Sequence, residues 1–144
     1  MDKFPVELKQ VYFTRSIVIA LPNYELKEAV VINFPPVNTI NVQYIEGSDN
    51  DYVFVMKTLL NEDKNPLDPY MIDMECVAQL HINNDLSKDE AMKAATITGH
   101  SVVYGAIREA VSWITGRHPF GPLSLGLSVL TPTKADDTKT DSNT

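Results

Sequence analysis

Lys93–Leu130 reads KAATITGHSVVYGAIREAVSWITGRHPFGPLSLGLSVL, and the arrangement of the other elements follows from it. Val103, Ile107, Ala110, Val111 and Ile114 recur at the spacing of one helix face, flanked by Val102, Ala106 and Trp113. The pattern predicts an amphipathic helix from about Ser101 to Thr115. Just upstream, Ser87-Lys88-Asp89-Glu90 has the form of a capping box: Ser87 caps the first turn and Glu90 reaches back. A short Ala-rich helix is predicted from about Lys88 to Ile97, with Gly99 marking its end. Gly116 suits the residue after the second helix, and Arg117 and His118 suit its negative end. His118-Pro119-Phe120-Gly121-Pro122 predicts a rigid turn. Beyond it Leu123, Leu125, Leu127 and Val129 alternate with Ser124, Gly126 and Ser128, predicting a short strand-like or extended apolar segment.

Before this stretch the period is two. Leu8–Leu21 is rich in β-branched and aromatic residues: Val11, Phe13, Ile17 and Ile19 alternate with Tyr12, Thr14, Ser16 and Val18. Leu21-Pro22-Asn23 ends that strand. Glu25–Val31 reads equally as helix or extended chain, and Pro35-Pro36 forces an extended crossover. Val37–Glu46 places Ile40, Val42 and Tyr44 on one face of a strand. Tyr52–Leu60 follows the turn Gly47–Asp51. After Asn61–Pro66, Tyr70–Ile82 gives the clearest alternation, with Tyr70, Ile72, Met74, Cys76, Ala78, Leu80 and Ile82 sharing one face. Hairpin-linked strands of this kind predict an antiparallel sheet with one buried face.

Composition narrows the function. A chain of 144 residues with 44% hydrophobic content predicts one domain with a real core. The formal net charge is −7, from 12 Lys and Arg against 19 Asp and Glu. With no basic run, nucleic-acid binding is disfavoured. The single cysteine, Cys76, excludes an internal disulfide and a cysteine-based zinc cluster. MDKFPVELKQ lacks the pattern of a signal peptide, and no apolar run is long enough to predict a membrane span, so a cytoplasmic protein is expected. TPTKADDTKTDSNT, from Thr131, has almost no apolar residue. The expected division is a folded domain over 1–130 and a disordered polar tail over 131–144.

Catalytic chemistry finds few residues. His81, His100 and His118 fall on a strand, a helix and a turn without metal-ligand spacing, so no metal site is expected. There is no Gly-rich phosphate loop and no cofactor signature. Cys76 sits on an apolar strand face, where a core role outweighs a nucleophilic one. Asp73 and Glu75 share a strand face at roughly 6–7 Å, as solvated strand charges do. They are the only residues on which an acid–base enzyme would rest, and no enzyme is expected. The surplus apolar material, including the FPPV crossover and the last apolar segment, predicts oligomerisation or binding of apolar partners.

The order of four strands, a short helix, a long helix and a polar tail resembles the bacterial export chaperone family SecB, from about Val11 to Leu130. VYFTRSIVIALPN is similar to the family's first strand, which also ends in Pro-Asn. Tyr104-Gly105-Ala106-Ile107-Arg108-Glu109, followed by GRHPFGPLSL, resembles the start of the family's long helix and its apolar loop, with Gly105 near the family's Pro-Tyr. AATITGHSVVYGAIREAVSWITGR looks closer still to the SecB-like chaperones of toxin–antitoxin–chaperone systems.

The resemblance implies an α+β fold: a four-stranded antiparallel sheet with two C-terminal helices packed on one face. It implies a homotetramer, a dimer of dimers, that holds unfolded polypeptides without ATP or any cofactor. By position, Phe34, Ile40, Val42, Tyr44, Ile72, Met74, Leu123 and Leu125 become candidates for the client groove, and Asp73 and Glu75 for an acidic partner face. Where the export chaperones present further carboxylates to the SecA motor, this chain has Ser16 and Ala20, and its tail shows little likeness to theirs. Handover to SecA is therefore doubtful, and an antitoxin becomes the expected client. A general export chaperone is the alternative within the class, and a structural oligomerisation module the alternative outside it.

Overall fold

A computed structural model describes residues 6–26, 32–83, 85–128 and 130. Most of the ambiguous Glu25–Val31 segment, and the tail from Thr131, lie outside the described residues, as does Val129. Four strands, β1 (Val6–Ala20), β2 (Val37–Tyr44), β3 (Asp51–Leu60) and β4 (Tyr70–Ile82), form one antiparallel sheet in the order β1-β4-β3-β2. The last three make a meander, and β1 lies on the free side of β4. Among the described residues one helix, α1 (Lys88–Thr115), crosses one face.

The alternation of β3 and β4 is the basis of the core. Phe54, Met56, Ile72, Met74, Cys76, Leu80 and Ile82 are wholly buried, and they meet Ala95, Val103, Ile107 and Val111 of α1. β1 is less regular. Its pairing with β4 slips between Leu8 and Gln10 and again between Phe13 and Arg15. Each slip inserts a residue and turns the following side chains to the other face. Val11, Phe13, Val18 and Ala20 consequently pack against the core, whereas Ile17 and Ile19 lie opposite Asp73 and Met71 on the open face. The strict alternation expected for β1, which grouped Ile17 and Ile19 with Val11 and Phe13, is corrected by the second bulge. The same bulge moves Ser16 and Ala20, register partners of Met74 and Tyr70, to the helix side of the sheet.

The expectation of two helices is also corrected. α1 runs unbroken for 28 residues from a capping box in which Ser87 Oγ accepts from Glu90 N–H and Glu90 accepts from Ser87 N–H. Gly99 does not end a helix; it is buried in the middle of one. A Cβ there would overlap the ring of Phe54, so the missing side chain is the space that Phe54 fills. Glycine in a helix interior costs about 1 kcal/mol relative to alanine. Burying a phenylalanine gains about 1.5–3 kcal/mol, and packing decides.

At the other end Gly116 has ordinary right-handed angles, φ −61° and ψ −19°. The left-handed position falls instead at Gly121, φ 85°, in the turn after the helix. Tyr70 Oη donates to Gly121 O, and Thr115 Oγ1 accepts from Leu123 N–H at 2.8 Å, which pins that turn to the core. Leu123–Ser128 then has no regular secondary structure and joins no sheet.

Candidate client-binding edge

Both outer strands have a free edge, but they are protected differently. β1 carries two bulges and the charges Glu7, Lys9 and Arg15, devices that discourage further pairing. β2 is VNTINVQY, with no charge, no proline and no bulge in its register with β3. Among the described residues no strand faces its outer backbone groups, which makes it a ready template for an extended chain. Ile40 and Tyr44 are both 40% exposed on its helix-facing side, with Val42 half-buried between them. Tyr44 meets Tyr52 edge to face at 5.4 Å, and Tyr44 Oη donates to Ser48 O at 2.7 Å.

The crossover leading into β2 is set by a residue that local sequence reading passes over. Asp68 is fully buried, and its carboxylate accepts from Asn33 N–H (2.8 Å), Asn33 Nδ2 (2.8 Å) and Phe34 N–H (3.1 Å). Its partners lie 34 and 35 residues away, so no short motif announces them. This clamp places Phe34, with Pro35, Val37 and Leu59, along a recess of about 280 Å³. Asn61, Glu62, Asp63 and Asn65 supply its polar rim. Asn61 takes a left-handed φ of 54° while its amide bonds Asn65 and the Tyr70 carbonyl, which fixes that rim.

The other expected groove residues separate into layers. Ile40, Val42 and Tyr44 share the helix-facing side of β2, whereas Phe34 lines its recess with Val37 and Leu59, whose register partner Asp73 puts that recess on the open face. Ile72 and Met74 are fully buried beneath the helix, and Leu123 and Leu125 are 5% and 4% exposed. In this conformation those four are core contacts. Leu125 is held by α1: Arg108 Nε donates to Leu125 O at 2.9 Å and Tyr104 Oη to Gly126 O at 2.7 Å. Burial raises the Tyr104 phenol above its ordinary pKa, with Arg108 and Asn38 of β2 pulling the other way. His100 stacks on Tyr104 and reaches Ser128 Oγ at 3.1 Å; burial lowers its pKa.

Asp73 and Glu75 are on the opposite, open face of the sheet, Glu75 in a hydrogen bond and Asp73 near a cation, with its Oδ1 making no hydrogen bond. Arg15 lies 3.5 Å from Asp73, and Thr14 Oγ1 donates to Glu75 at 2.6 Å. Lys57 stands beside Glu75 in the register. The open face is thus of mixed charge. Cys76 is buried and its thiol is pushed up to about 11 by desolvation, so it is not a poised nucleophile. Among the described residues no cluster of His, Cys, Asp or Glu could hold a metal ion, and no helix is long and apolar enough to cross a membrane.

No protein-family model matches the sequence, and no curated protein does either. Solved structures do. A Mycobacterium tuberculosis SecB-like chaperone, Rv1957, determined in complex with a ChAD peptide from the HigA1 antitoxin, superposes with a TM-score of 0.66. The match covers 86% of this chain and 91% of that one, at 20% identity. The chain has the SecB-like fold. A Streptococcus agalactiae protein of unknown function matches more weakly, with a TM-score of 0.50 at 13% identity, over 85% of this chain and 97% of that one. The likeness extends over a chain in which the described residues form the four-stranded sheet and one long helix. The unprotected β2 edge and the Asp68-fixed crossover are features of its own residues.

Proposed function

We propose that this chain is an ATP-independent holdase that captures extended apolar segments of unfolded polypeptides, without catalysis. The observation that carries the reading is the unprotected β2 edge bordered by Phe34, Ile40 and Tyr44 in a SecB-like fold. A client strand pairs with the free backbone of β2 and lays alternate side chains beside these residues. Affinity comes from apolar burial at about 25 cal/mol per Å², reduced by the cost of ordering the client.

The preferred client in this proposal is the antitoxin of a toxin–antitoxin–chaperone system. Its support is the antitoxin peptide bound to the Mycobacterium tuberculosis protein of the same fold. Delivery to SecA receives less support, because the face that carries Asp73 and Glu75 also carries Arg15 and Lys57 and is of mixed charge. The working form is a cytoplasmic homotetramer. Trp113, 60% exposed, borders an apolar recess of about 430 Å³ with Phe13, Ala106, Ala110 and Ile114, a surface suited to burial between subunits.

Size-exclusion chromatography with light scattering, run with and without an unfolded client, tests the reading. An oligomer that co-elutes with client is expected, and a monomer that captures none would sink it. Polar replacement of Ile40, Val42 and Tyr44 should abolish capture while the oligomer survives.

A further inference from the structure

The turn after α1 and the segment beyond it are held in different ways. Up to Leu123 the chain is anchored through buried bonds: Tyr70 to the Gly121 carbonyl, and Leu123 N–H to Thr115 Oγ1. From Ser124 to Ser128, among the described residues, no backbone–backbone hydrogen bond holds the chain. Three side chains one turn apart on α1 hold it instead. Arg108 and Tyr104 donate to the carbonyls of Leu125 and Gly126, and His100 meets Ser128 Oγ. One apolar side chain, Leu125, is sunk into the core, and Leu127 is 83% exposed.

This is how a holdase would grip any extended chain: an apolar anchor in a pocket and sequence-independent bonds to main-chain carbonyls. The contacts use nothing specific to the segment except Leu125 and Ser128. They also lie next to the proposed client edge, because Asn38 of β2 reaches the same Tyr104 phenol. Gly126 has open space where a Cβ would be, so the segment is not wedged in place there.

We propose that Ser124–Ser128 is a displaceable strap that occupies part of the client site in the resting chain. A client's apolar side chain takes the Leu125 pocket, and its carbonyls take Tyr104 and Arg108. The proposal rests on the holdase reading and adds that the chain competes with its own client. A site filled by its own strap binds with an affinity reduced by the fraction of time the strap is open.

The test uses the full chain and reduced, carboxymethylated α-lactalbumin as the unfolded client. Leu125→Ser removes the anchor and is expected to bind this client at least tenfold more tightly than the wild type. A synthetic peptide GPLSLGLSVL, added in trans, is expected to compete with the client on that variant. Equal or weaker binding by a variant that still unfolds cooperatively overturns the strap, as does a peptide that does not compete. Methyl NMR on the wild-type chain covers the case in which Leu125→Ser fails to fold. Client saturation should shift the Leu125 methyls to solvent-like positions and leave those of Leu123 in place; unmoved Leu125 methyls overturn the proposal. A wild-type chain that binds no client at all refutes the holdase reading itself, and the strap with it.

Discussion

Gly99→Ala should destabilise this protein, although the same change stabilises most exposed helix interiors. The helical term alone favours alanine by about 1 kcal/mol. Against it stands Phe54, fully buried on β3. A Cβ at position 99 would lie 2.6 Å from Phe54 Cδ2 and 2.7 Å from Phe54 Cβ. The Cβ of Phe54 is tied to the backbone of a central strand, so the ring cannot simply rotate away. Overpacking of this kind typically costs about 1–3 kcal/mol, and a clash this close belongs at the upper end. The net expectation is a loss of about 2 kcal/mol, read as a lower urea midpoint with unchanged slope. Gly105→Ala is the internal control: its Cβ would meet nothing within 4 Å, so a gain of about 0.5–1 kcal/mol is expected. In a Phe54→Leu background the penalty at Gly99 should shrink, giving a measurable coupling in a double-mutant cycle. If Gly99→Ala stabilises the wild type as much as Gly105→Ala does, the close approach of Phe54 to the helix is wrong.

Asp68→Asn should cost about 1.5–3 kcal/mol, since it weakens hydrogen bonds to a buried charged acceptor; urea denaturation reads the stability, and client affinity should fall as Phe34 is released. Glu90 has a folded-state pKa held below its ordinary value by its bonds to the Ser87 backbone and hydroxyl. Its contribution is therefore present above the ordinary glutamate pKa and lost as pH falls through the lowered one. Glu90→Gln should flatten that acid limb in stability measured against pH; an unchanged limb would show that the capping box does not act this way. Cys76 should resist a thiol reagent at pH 8 in the native chain and react once urea unfolds it, because its pKa stands near 11 and it is buried. Rapid native labelling would contradict its place in the core.

How much could be read from the chain depended on whether the deciding contact was local. β4 was readable residue for residue because strict period-two alternation reflects a sheet with one covered face. The capping box was equally plain, since both of its hydrogen bonds span three residues. Gly99 misled because a local rule treats glycine as a stop, whereas the reason for this one is an aromatic ring on β3. β1 misled because a bulge adds a residue without leaving any mark in the amino-acid pattern, and each bulge reverses the faces. The proposed client edge was half readable. Ile40, Val42 and Tyr44 stand out by alternation and Phe34 by its FPPV context, but Asp68 looks like any solvated turn acid. The burial of Leu123 and Leu125 was likewise hidden: their alternation shows an apolar segment, not the side chains of α1 that hold it.

The location of the proposed site follows from comparing ways to finish a sheet. An open four-stranded sheet must leave two edges, and each exposes a row of unpaired donors and acceptors. Here β1 is broken by bulges and studded with charge, so a second chain gains little register against it. β2 keeps its regular register to the end and carries only uncharged side chains. A protein with no use for that edge would gain from a lysine at Thr39 or Asn41, which point away from the helix and would cost no packing. Both segments beside β2, the Phe34 crossover and the strap on α1, are fixed by side chains gripping backbone and not by strand pairing. A fixed crossover on one side of an unpaired edge and a displaceable strap on the other make a slot for an extended chain. Thr39→Lys and Asn41→Lys together should therefore lower client capture and leave thermal stability within about 0.5 kcal/mol of wild type; capture that survives both lysines would place the client elsewhere.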